Sequence, residues 1–369
     1  MRRILPVVLG LGLVLVPVLA RAQPVRPPEP TAAEPLVPPA PEPSMVPPEP
    51  EPGAPIRLTS PPVFDPDAPP PSGWRFMFSD LTITRINPLG LETRGRLGLQ
   101  KRLYYSDQKL TKTNFGFVGV YPKLNPVSAQ LGAGGELQPM SMLNVRALAE
   151  VQQYFGTLGF LQSFPTADAN YSDHALKALR DDPVRAPQSA TMFHASIQPM
   201  LMAKVGPIAL RALLLVDYWN FDVRAGDQVA YEPTFDTALP DRGWTVSTDT
   251  DLLYTGKRGL AIGLRHSTVT PLYRAEHFTD DAAYQAYDGA NAHQRLGLFS
   301  AYTFHDRGPS RFNKPTLIVI ASWYLSSRFR TGQPDAIPTG FTADDYVNRA
   351  IPYFLIGFAF ESDFMKVAP

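Results

Sequence analysis

Two runs of alternating apolar and polar residues lie back to back at 194–221, joined by Gly206-Pro207. In the second run one parity holds Ile208, Leu210, Ala212, Leu214, Val216 and Tyr218, and the other holds Ala209, Arg211, Leu213, Leu215, Asp217 and Trp219. A period of two is typical of a β-strand, and a strand that crosses a bilayer needs about 9–11 residues with one apolar face. The pattern therefore predicts two membrane-crossing strands with a tight turn between them.

The same alternation recurs from residue 74 almost to the end of the chain. Twelve strand-like runs are recognised, at 74–84, 91–103, 115–121, 129–138, 143–155, 194–205, 208–221, 244–255, 260–270, 294–304, 316–327 and 353–364. We therefore predict an all-β fold over 73–369, a transmembrane antiparallel β-barrel of about twelve strands. A soluble β-sandwich is the architectural alternative.

The lengths of the connections follow the strand number. Long irregular segments at 156–191, 222–243, 271–292 and 328–350 follow odd-numbered strands, and compact ones at 139–141, 206–207 and 256–258 follow even-numbered strands. A helical turn or two is expected within 172–180. Outer-membrane barrels have short periplasmic turns and long extracellular loops. The pattern predicts extracellular long loops and both termini on the periplasmic side.

Aromatic residues near the strand ends fit the girdles that such barrels place at the membrane interfaces. The predicted girdle consists of Trp74, Tyr104, Tyr154, Phe155, Tyr218, Trp219, Trp244, Tyr254, Tyr302, Phe304, Trp323 and Tyr324.

The N-terminal part of the chain predicts two segments outside the barrel. Residues 1–22 have arginines, an apolar run and Ala20-Arg21-Ala22, which indicates a secretory signal peptide, with a single membrane anchor as the alternative. Residues 23–72 hold about half of the 40 prolines and predict a disordered, extended periplasmic arm. The arm is either a spacer or, through 24–72, a contact with the cell wall or a periplasmic protein.

Composition excludes several kinds of chemistry. Lysines plus arginines number 34 and acidic residues 34, without a basic stripe, so we predict no nucleic-acid partner. The absence of cysteine excludes disulfides and thiolate metal sites. No phosphate-binding or dinucleotide fingerprint is present, and we predict no cofactor.

The closing strand carries a resemblance to a known class. Its sequence, Tyr353-Phe354-Leu355-Ile356-Gly357-Phe358-Ala359-Phe360, is similar to the C-terminal signal of Gram-negative outer-membrane β-barrel proteins. The resemblance covers about residues 74–364 and concerns the broad class, with no specific family. It implies contact with outer-membrane lipid and recognition by the barrel-assembly machinery. One departure is that Met365–Pro369 follows Phe364, where the class usually ends on the aromatic residue.

Charged residues on the polar parities are the main functional clue. An arginine facing lipid near mid-membrane costs roughly 2–4 kcal/mol, so Arg94 and Arg96 should face the lumen. The predicted lumen-lining set, a solute path, is Glu92, Arg94, Arg96, Arg102, Arg146, Glu150, Lys204, Arg211, Asp217, Asp249, Asp251 and Arg265, with Arg295 and Glu361. Basic residues come early and acidic ones later, so they either pair or line opposing walls.

A catalytic alternative rests on His194-Ala195-Ser196. Alternation places both functional side chains on one face, and outer-membrane phospholipase A and lipid A deacylases use this spacing. However, that face is the lumen and no orienting acid or amide is identifiable, so we interpret the pair as polar lining. His293, His277 and Glu276 lack a metal-ligand spacing. We predict neither a catalytic nor a metal site.

Strand number bounds the function. Eight strands give a filled interior and 16–18 an aqueous channel, so twelve allow a narrow pore. We predict passage or uptake of small polar solutes and no enzymatic activity. The alternative is a structural or adhesive barrel with a filled, ion-paired lumen, whose arm contacts the cell wall or a periplasmic partner. A lipid-modifying enzyme is a distant third reading.

Overall fold

The computed structural model describes residues 72–256, 259–308 and 310–364, all within the compact unit 60–369. The predicted signal peptide at 1–22, all but the last residue of the predicted arm, and the tail after Phe364 lie outside the described residues. Those three interpretations stay predictions.

Twelve antiparallel strands form a closed barrel. In chain order they are β1 (Arg75–Ile86), β2 (Gly90–Lys101), β3 (Phe115–Asn125), β4 (Ser128–Met140), β5 (Leu143–Phe155), β7 (Ser189–Val205), β8 (Ile208–Phe221), β11 (Arg242–Thr255), β12 (Leu260–Leu272), β13 (His293–Thr303), β14 (Asn313–Ser326) and β15 (Tyr353–Asp363). The barrel closes where β1 pairs with β15, with Met77 opposite Asp363 and Ile86 opposite Phe354. The predicted barrel is confirmed, and the sandwich alternative was wrong.

The outer surface of the barrel is apolar on every strand. One exposed large apolar side chain per strand illustrates this: Phe76, Leu99, Val118, Leu131, Val151, Ile197, Leu210, Leu252, Leu264, Leu298, Leu317 and Ile356. Soluble monomers rarely expose contiguous apolar patches larger than a few hundred Å², so a surface of this kind needs lipid around it. Most charged side chains of the same strands lie on the inward parity, as the alternation predicts, and the exceptions are Asp80, Lys101 and Arg242.

The two ends of the barrel differ. Because consecutive barrel strands run antiparallel, β1 begins and β15 ends at the same end, which we call the terminus end. Short connections such as 141–142 and 206–207 lie there, and Gly206 supplies a left-handed φ of 58°. The four longest connections, 156–188, 222–241, 273–292 and 327–352, all lie at the opposite, loop end. The predicted placement of the four long connections is confirmed, although the terminus end also has a longer connection at 102–114 and the loop end has short ones at 87–89 and 126–127.

The four long connections fold together into a cap. Its sheet has the order β10-β9-β6, formed by β6 (Ser163–Phe164), β9 (Val229–Glu232) and β10 (Thr237–Pro240). Helix α1 (Asp173–Leu179) confirms the expected helical turns, and α2 (Asp281–Ala286) and 3-10 turns at Ala275–His277 and Ala343–Asp345 were not foreseen. None of the helices in the described part of the chain is long and apolar enough to cross a bilayer.

The cap has its own hydrophobic core, drawn from all four connections. Its buried members are Phe164, Ala167, Tyr171, Leu176, Val229, Tyr231, Ala238, Tyr273, Phe278 and Phe329. Val229, Ala230 and Leu239 are 0% exposed. Each fully buried large apolar side chain contributes about 1.5–3 kcal/mol. The expectation that 222–243 is irregular was therefore wrong, because four-residue strands are too short to show a period.

The aromatic girdle needs a correction. Trp74, Trp244 and Trp323 are exposed on the outside, as predicted. In contrast, Tyr154, Trp219 and Tyr324 occupy inward parities and are 1%, 3% and 5% exposed. They lie at the loop ends of β5, β8 and β14, where the cap covers the lumen. Proximity to a strand end does not by itself decide which face a residue takes, whereas parity does.

Candidate functional site

The lumen contains a polar cavity of about 800 Å³ directly beneath the cap. Its lining begins at Glu232, Thr234 and Phe235 of the cap and reaches Lys314 and Glu361 near the terminus end. These last two side chains form an ion pair, with Nζ and Oε2 3.2 Å apart, and are 44% and 45% exposed. The cavity is thus covered by folded loops at one end and bounded by solvent-exposed charged groups at the other.

The twelve residues predicted to line the lumen divide into three groups. Seven line the cavity: Glu92, Arg94, Arg96, Arg146, Arg211, Asp217 and Asp249. Three, Glu150, Asp251 and Arg265, lie on barrel strands but do not line the cavity. Arg102 follows the end of β2, and Lys204 is exposed near the Gly206 turn, so neither belongs to the cavity wall. Arg295 and Glu361 line the cavity as expected.

Glu136 on β4 is the centre of the first ion-pair cluster. Its Oε1 accepts from Arg96 Nε at 2.9 Å and from Arg146 Nε at 2.7 Å, and the Tyr121 hydroxyl donates to it at 3.2 Å. The guanidinium of Arg96 also lies 3.5 Å from the centre of the Phe117 ring. One carboxylate therefore binds two arginines from strands on either side of it.

The second cluster is a chain that crosses from β3 to β8. Lys123 Nζ lies 2.9 Å from Glu150 Oε1, and Glu150 Oε2 lies 2.8 Å from His194 Nδ1. On the other side of the ring, His194 Nε2 lies 2.9 Å from Asp217 Oδ1. The imidazole also stacks on the Trp219 indole, with ring centres 4.0 Å apart and planes 9° from parallel. Each ring nitrogen of His194 therefore faces a carboxylate oxygen from a neighbouring strand.

The third cluster surrounds Asp251 on β11. Arg211 Nε donates to Asp251 Oδ2 at 2.7 Å, and Arg265 Nε donates to Oδ1 at 2.6 Å. Arg265 also lies 3.6 Å from Asp249, whose Oδ1 accepts from the Ser267 hydroxyl at 2.5 Å. Both arginines lie over the Phe299 ring. Here too a buried acid joins two arginines from neighbouring strands.

Charge in the lumen is therefore organised as local pairs. The sequence left open whether basic and acidic residues pair or line opposing walls, and in these three clusters they pair between strands that are adjacent or separated by one strand. Breaking a buried pair by removing one partner costs about 3–5 kcal/mol, because the other charge is left uncompensated. Two apolar clusters fill further lumen space: Met77, Phe117, Tyr121 and Leu148, and Ile83, Phe299, Ile320 and Leu355.

The hairpin formed by β9 and β10, which we call the cap hairpin, places its tip at 233–236 against the barrel wall. Arg85 Nη2 donates to the carbonyl of Pro233 at 3.0 Å, and His293 Nε2 donates to the carbonyl of Phe235 at 2.6 Å. The Phe235 ring meets Trp219 edge to face, with centres 5.4 Å apart. Three barrel strands therefore hold the backbone and ring of the tip.

Asp236 fixes the hairpin tip through its carboxylate. It accepts from Tyr231 at 3.0 Å, from Tyr324 at 2.7 Å and from Arg330 Nη2 at 2.7 Å. Arg330 also binds Asp173 of α1, with Nη1 and Oδ2 2.9 Å apart. Burial alone would raise the pKa of Asp236, but the Arg330 guanidinium outweighs burial and the pKa lies below its ordinary value. The carboxylate thus links three parts of the cap to β14.

Glu232, at the end of β9, behaves in the opposite way. It is 5% exposed, lines the cavity and accepts from the Phe235 amide at 2.9 Å. Burial raises the pKa of this carboxyl above its ordinary value of 4.5, and the Phe235 amide and Arg85 only partly offset that rise. The cap hairpin therefore places at the wall of the lumen a carboxyl group that resists ionisation.

The His-x-Ser motif lies inward, as predicted, but its two side chains have other partners. Both nitrogens of His194 face carboxylates, and the Ser196 hydroxyl accepts from Gln198 Nε2 at 3.0 Å. A general base needs a free nitrogen toward its nucleophile, which this geometry does not offer. Acids on both sides of the ring were not identifiable from sequence, because they lie 44 and 23 residues away.

The loop histidines considered as metal ligands are separated by the fold. His293 binds the Phe235 carbonyl, and His277 is buried and 3.5 Å from Asp241, whereas Glu276 pairs with Arg274 on the surface. Within the described residues, no group of three or more histidine or acidic side chains is arranged to hold a metal ion.

Several members of the site were not selected from sequence. Glu136 directly follows a glycine-rich run, 132–135, that weakens the strand pattern, although its inward parity would have identified it. Lys123 lies beyond the predicted run 115–121, in what was expected to be a connection, whereas β3 continues to Asn125. Glu232, Asp236 and Arg330 lie in aperiodic loops, where nothing in the sequence signals their position.

Solved structures with a similar fold are known, but no protein of similar sequence was found. No family model and no curated protein matches the chain. Among solved structures, the NanC porin is similar over 78% of this chain and 100% of its own, at 8% identity and a TM-score of 0.32. The translocator domain of autotransporter NalP from Neisseria meningitidis covers 79% and 88%, at 10% identity and 0.34. OccD3 (OpdP) from Pseudomonas aeruginosa covers 79% and 92%, at 11% identity and 0.29.

With such low identities and TM-scores, the class has to be assigned from the chain's own geometry. An even number of antiparallel strands, closure without a free edge, an apolar exterior and a charged interior are the features of a bacterial outer-membrane barrel. The described part of the chain is an outer-membrane-type β-barrel.

Proposed function

We propose that this protein is a gated outer-membrane channel for small polar solutes, in which the cap is the closed gate. The observation that carries the proposal is the polar cavity of about 800 Å³ that ends at a cap with a packed core. Small-molecule sites typically measure about 300–1,000 Å³, so the space suits a small solute. A filled structural interior would have no need of a cavity of this size.

The gate in this proposal is the cap hairpin. Its tip is held by polar contacts from Arg85, His293, Tyr324 and Arg330, and its strands pack in the cap core, so withdrawal of the hairpin would break both sets of contacts together. The twelve barrel strands can stay paired while it moves, because β9 and β10 pair only with each other and with β6. Lids are generally drawn from such locally held elements on a rigid scaffold.

Orientation is part of the proposal. We place the loop end outside the cell and the terminus end in the periplasm, supported by the long connections sharing one end. Both termini are then periplasmic, and 24–72 would reach the cell wall or a periplasmic protein from there. Partners in assembly would be outer-membrane lipid and the barrel-assembly machinery.

The test is single-channel recording of the full-length protein in a planar bilayer, with wild type, Asp236→Asn and the control Asp335→Asn. Asp335 lies at the loop end and is exposed. Losing the Asp236 charge should cost about 2 kcal/mol, less than a fully isolated pair because Arg330 keeps Asp173. That corresponds to a rise of about 30-fold in the ratio of open to closed channel.

Two outcomes would count against the channel. Asp236→Asn protein that inserts, as judged by heat-modifiable gel mobility, but never conducts would contradict it. An equal rise with Asp335→Asn would contradict the role of the hairpin. If no variant conducts, the result would instead favour the second candidate, a structural barrel. The three ion-paired clusters and the two apolar clusters that fill part of the lumen support that candidate.

A further inference from the structure

The ion pairs of the lumen are unequal in their access to the cavity. Arg94, Arg146 and Arg211 have side chains that are 37%, 36% and 35% exposed, whereas their carboxylate partners Glu92, Glu136 and Asp251 are 9%, 4% and 0% exposed. Lys123 and Glu150 repeat the order at 22% and 0%. In these four pairs the acid is the more buried partner and the cation the more exposed one, whereas the order is reversed for Arg265 and Asp249, at 13% and 32%.

The arginines also surround the cavity. In the circular order of the twelve strands, Arg94 on β2, Arg146 on β5, Arg211 on β8 and Arg295 on β13 belong to well-separated parts of the wall. Arg295 lies 4.0 Å over the Tyr353 ring, and its Nε has no hydrogen-bond partner among the described residues. A solute in the cavity therefore meets guanidinium groups from several directions.

Pairing leaves these guanidinium groups with unused donors. Each guanidinium carries five N–H donors. Glu136 receives one hydrogen bond from Arg146, through Nε, and among the described residues the Nη groups of Arg146, which lines the cavity, have no hydrogen-bond partner. Such groups bind carboxylate or phosphate oxygens through paired, charge-assisted hydrogen bonds. Of the ion-paired carboxylates on the described barrel strands, Asp249 at 32% and Glu361 at 45% offer an accessible negative charge.

We propose that the cavity is an oxyanion site and that the solutes it selects are small organic anions bearing carboxylate or phosphate groups. The overall balance of charge conceals this preference, since the carboxylates that balance the arginines are buried behind them. The inference rests on the channel function proposed above. It narrows the proposed solutes of that channel from polar molecules to anions.

Two arginines allow a test without loss of the fold. Arg146→Gln leaves Glu136 paired with Arg96, and Arg211→Gln leaves Asp251 paired with Arg265. The matched control is Arg307→Gln, an exposed arginine in the connection between β13 and β14. Binding of gluconate, inorganic phosphate and uncharged sucrose to detergent-solubilised full-length protein would be measured by titration calorimetry, which does not depend on gating.

We expect gluconate or phosphate to bind, sucrose not to bind, and each lumen variant to lower the anion affinity about tenfold, the usual effect of one lost charge-assisted hydrogen bond. Whichever of gluconate and phosphate binds more tightly identifies the preferred group. Equal loss with Arg307→Gln, or binding of sucrose as tight as that of the anions, would overturn the inference.

Ion selectivity separates this inference from the channel function. In a salt gradient, open Asp236→Asn channels should show a reversal potential that indicates preferential permeation of anions. Adding Arg146→Gln to these channels should reduce that preference. Channels that conduct with a cation preference would overturn the anion site and leave the channel standing. Anion binding in a protein that never conducts would overturn the channel and leave the site.

Discussion

The barrel wall and the cap bury their side chains by different means. In the wall, each strand carries its own apolar and polar faces, and the inward charges are neutralised by residues one or two strands away, as Glu136 on β4 is by Arg146 on β5 and Arg96 on β2. In the cap, no segment has a buried face by itself, and Tyr171, Tyr231 and Phe329 are buried because four distant connections meet.

This difference separates what is rigid from what can move. The wall is held by continuous backbone pairing around a closed ring, which leaves no edge to open. The cap is held by side chains, and its hairpin pairs with just two residues of β6. Perturbations of the two regions should therefore have separable effects.

The largest separation is expected from Tyr231→Ala in the cap core. Removing a buried aromatic ring costs about 3–5 kcal/mol. The loss of stability should be confined to the cap. Hydrogen exchange at 163–164 and 229–240 should become faster, and added protease should cleave the cap. The heat-modifiable gel mobility of the barrel should be unchanged. Tyr254→Ala, on the outer surface and 51% exposed, is the control. Unfolding of the barrel together with the cap would show that the two regions are one cooperative unit.

A matched pair on β8 tests the wall. Leu214 faces outward near the middle of the strand and is 37% exposed, and Leu213 lines the cavity. Leu214→Arg should lower the free energy of unfolding in lipid by about 2–4 kcal/mol, whereas Leu213→Arg should cost clearly less. Urea titration of tryptophan fluorescence in liposomes measures both. Equal costs would contradict the assignment of the two faces.

A smaller effect should come from Gly132→Ala on β4. A Cβ at this position would lie 2.6 Å from Cγ and 2.9 Å from Oε1 of Glu150, which is already fixed by Lys123 and His194. Overpacking of this kind costs about 1–3 kcal/mol. Gly116→Ala, whose methyl would approach Leu103 at 3.3 Å, should cost less in the same urea titration. If Gly116→Ala were the worse variant, the lumen would tolerate rearrangement of its ion pairs.

The smallest predicted effect is the pH dependence of the cap hairpin. The pKa of Glu232 is raised by burial, so above its ordinary value of 4.5 the opened hairpin ionises before the closed one does. Closure should therefore weaken as pH rises from 4.5 to the pKa of the folded state, by at most about 1.4 kcal/mol per pH unit. Hydrogen exchange at 229–240, corrected for intrinsic rates, measures this change.

Glu232→Gln should remove that pH dependence, because an amide does not titrate. The low pKa of Asp236 acts in the other direction and weakens closure only when pH falls below the ordinary carboxyl range. A hairpin that became better protected with rising pH would contradict the assignment to Glu232.

Most of the wall could be predicted from sequence because successive residues of a strand alternate between its two faces, so the sequence shows the polarity of each face directly. Leu210 and Arg211 are neighbours on opposite parities, and the cost of an arginine in lipid decides which one faces inward. The same argument failed for Arg102, because the position of a strand end depends on pairing with the next strand, and β2 stops at Lys101. It also failed for Tyr154 and Trp219, where nearness to a strand end was given more weight than parity.

The class of fold, the number of barrel strands, the two faces of each and the end at which the long connections lie can be read from local pattern, since they follow from period, length and the cost of charge in lipid. Folding in three dimensions establishes which charges meet, that most of the carboxylates are buried behind the arginines, and that four aperiodic connections form a cap. These depend on contacts between residues far apart in the chain, such as Asp236 with Arg330, and no local pattern encodes such a contact.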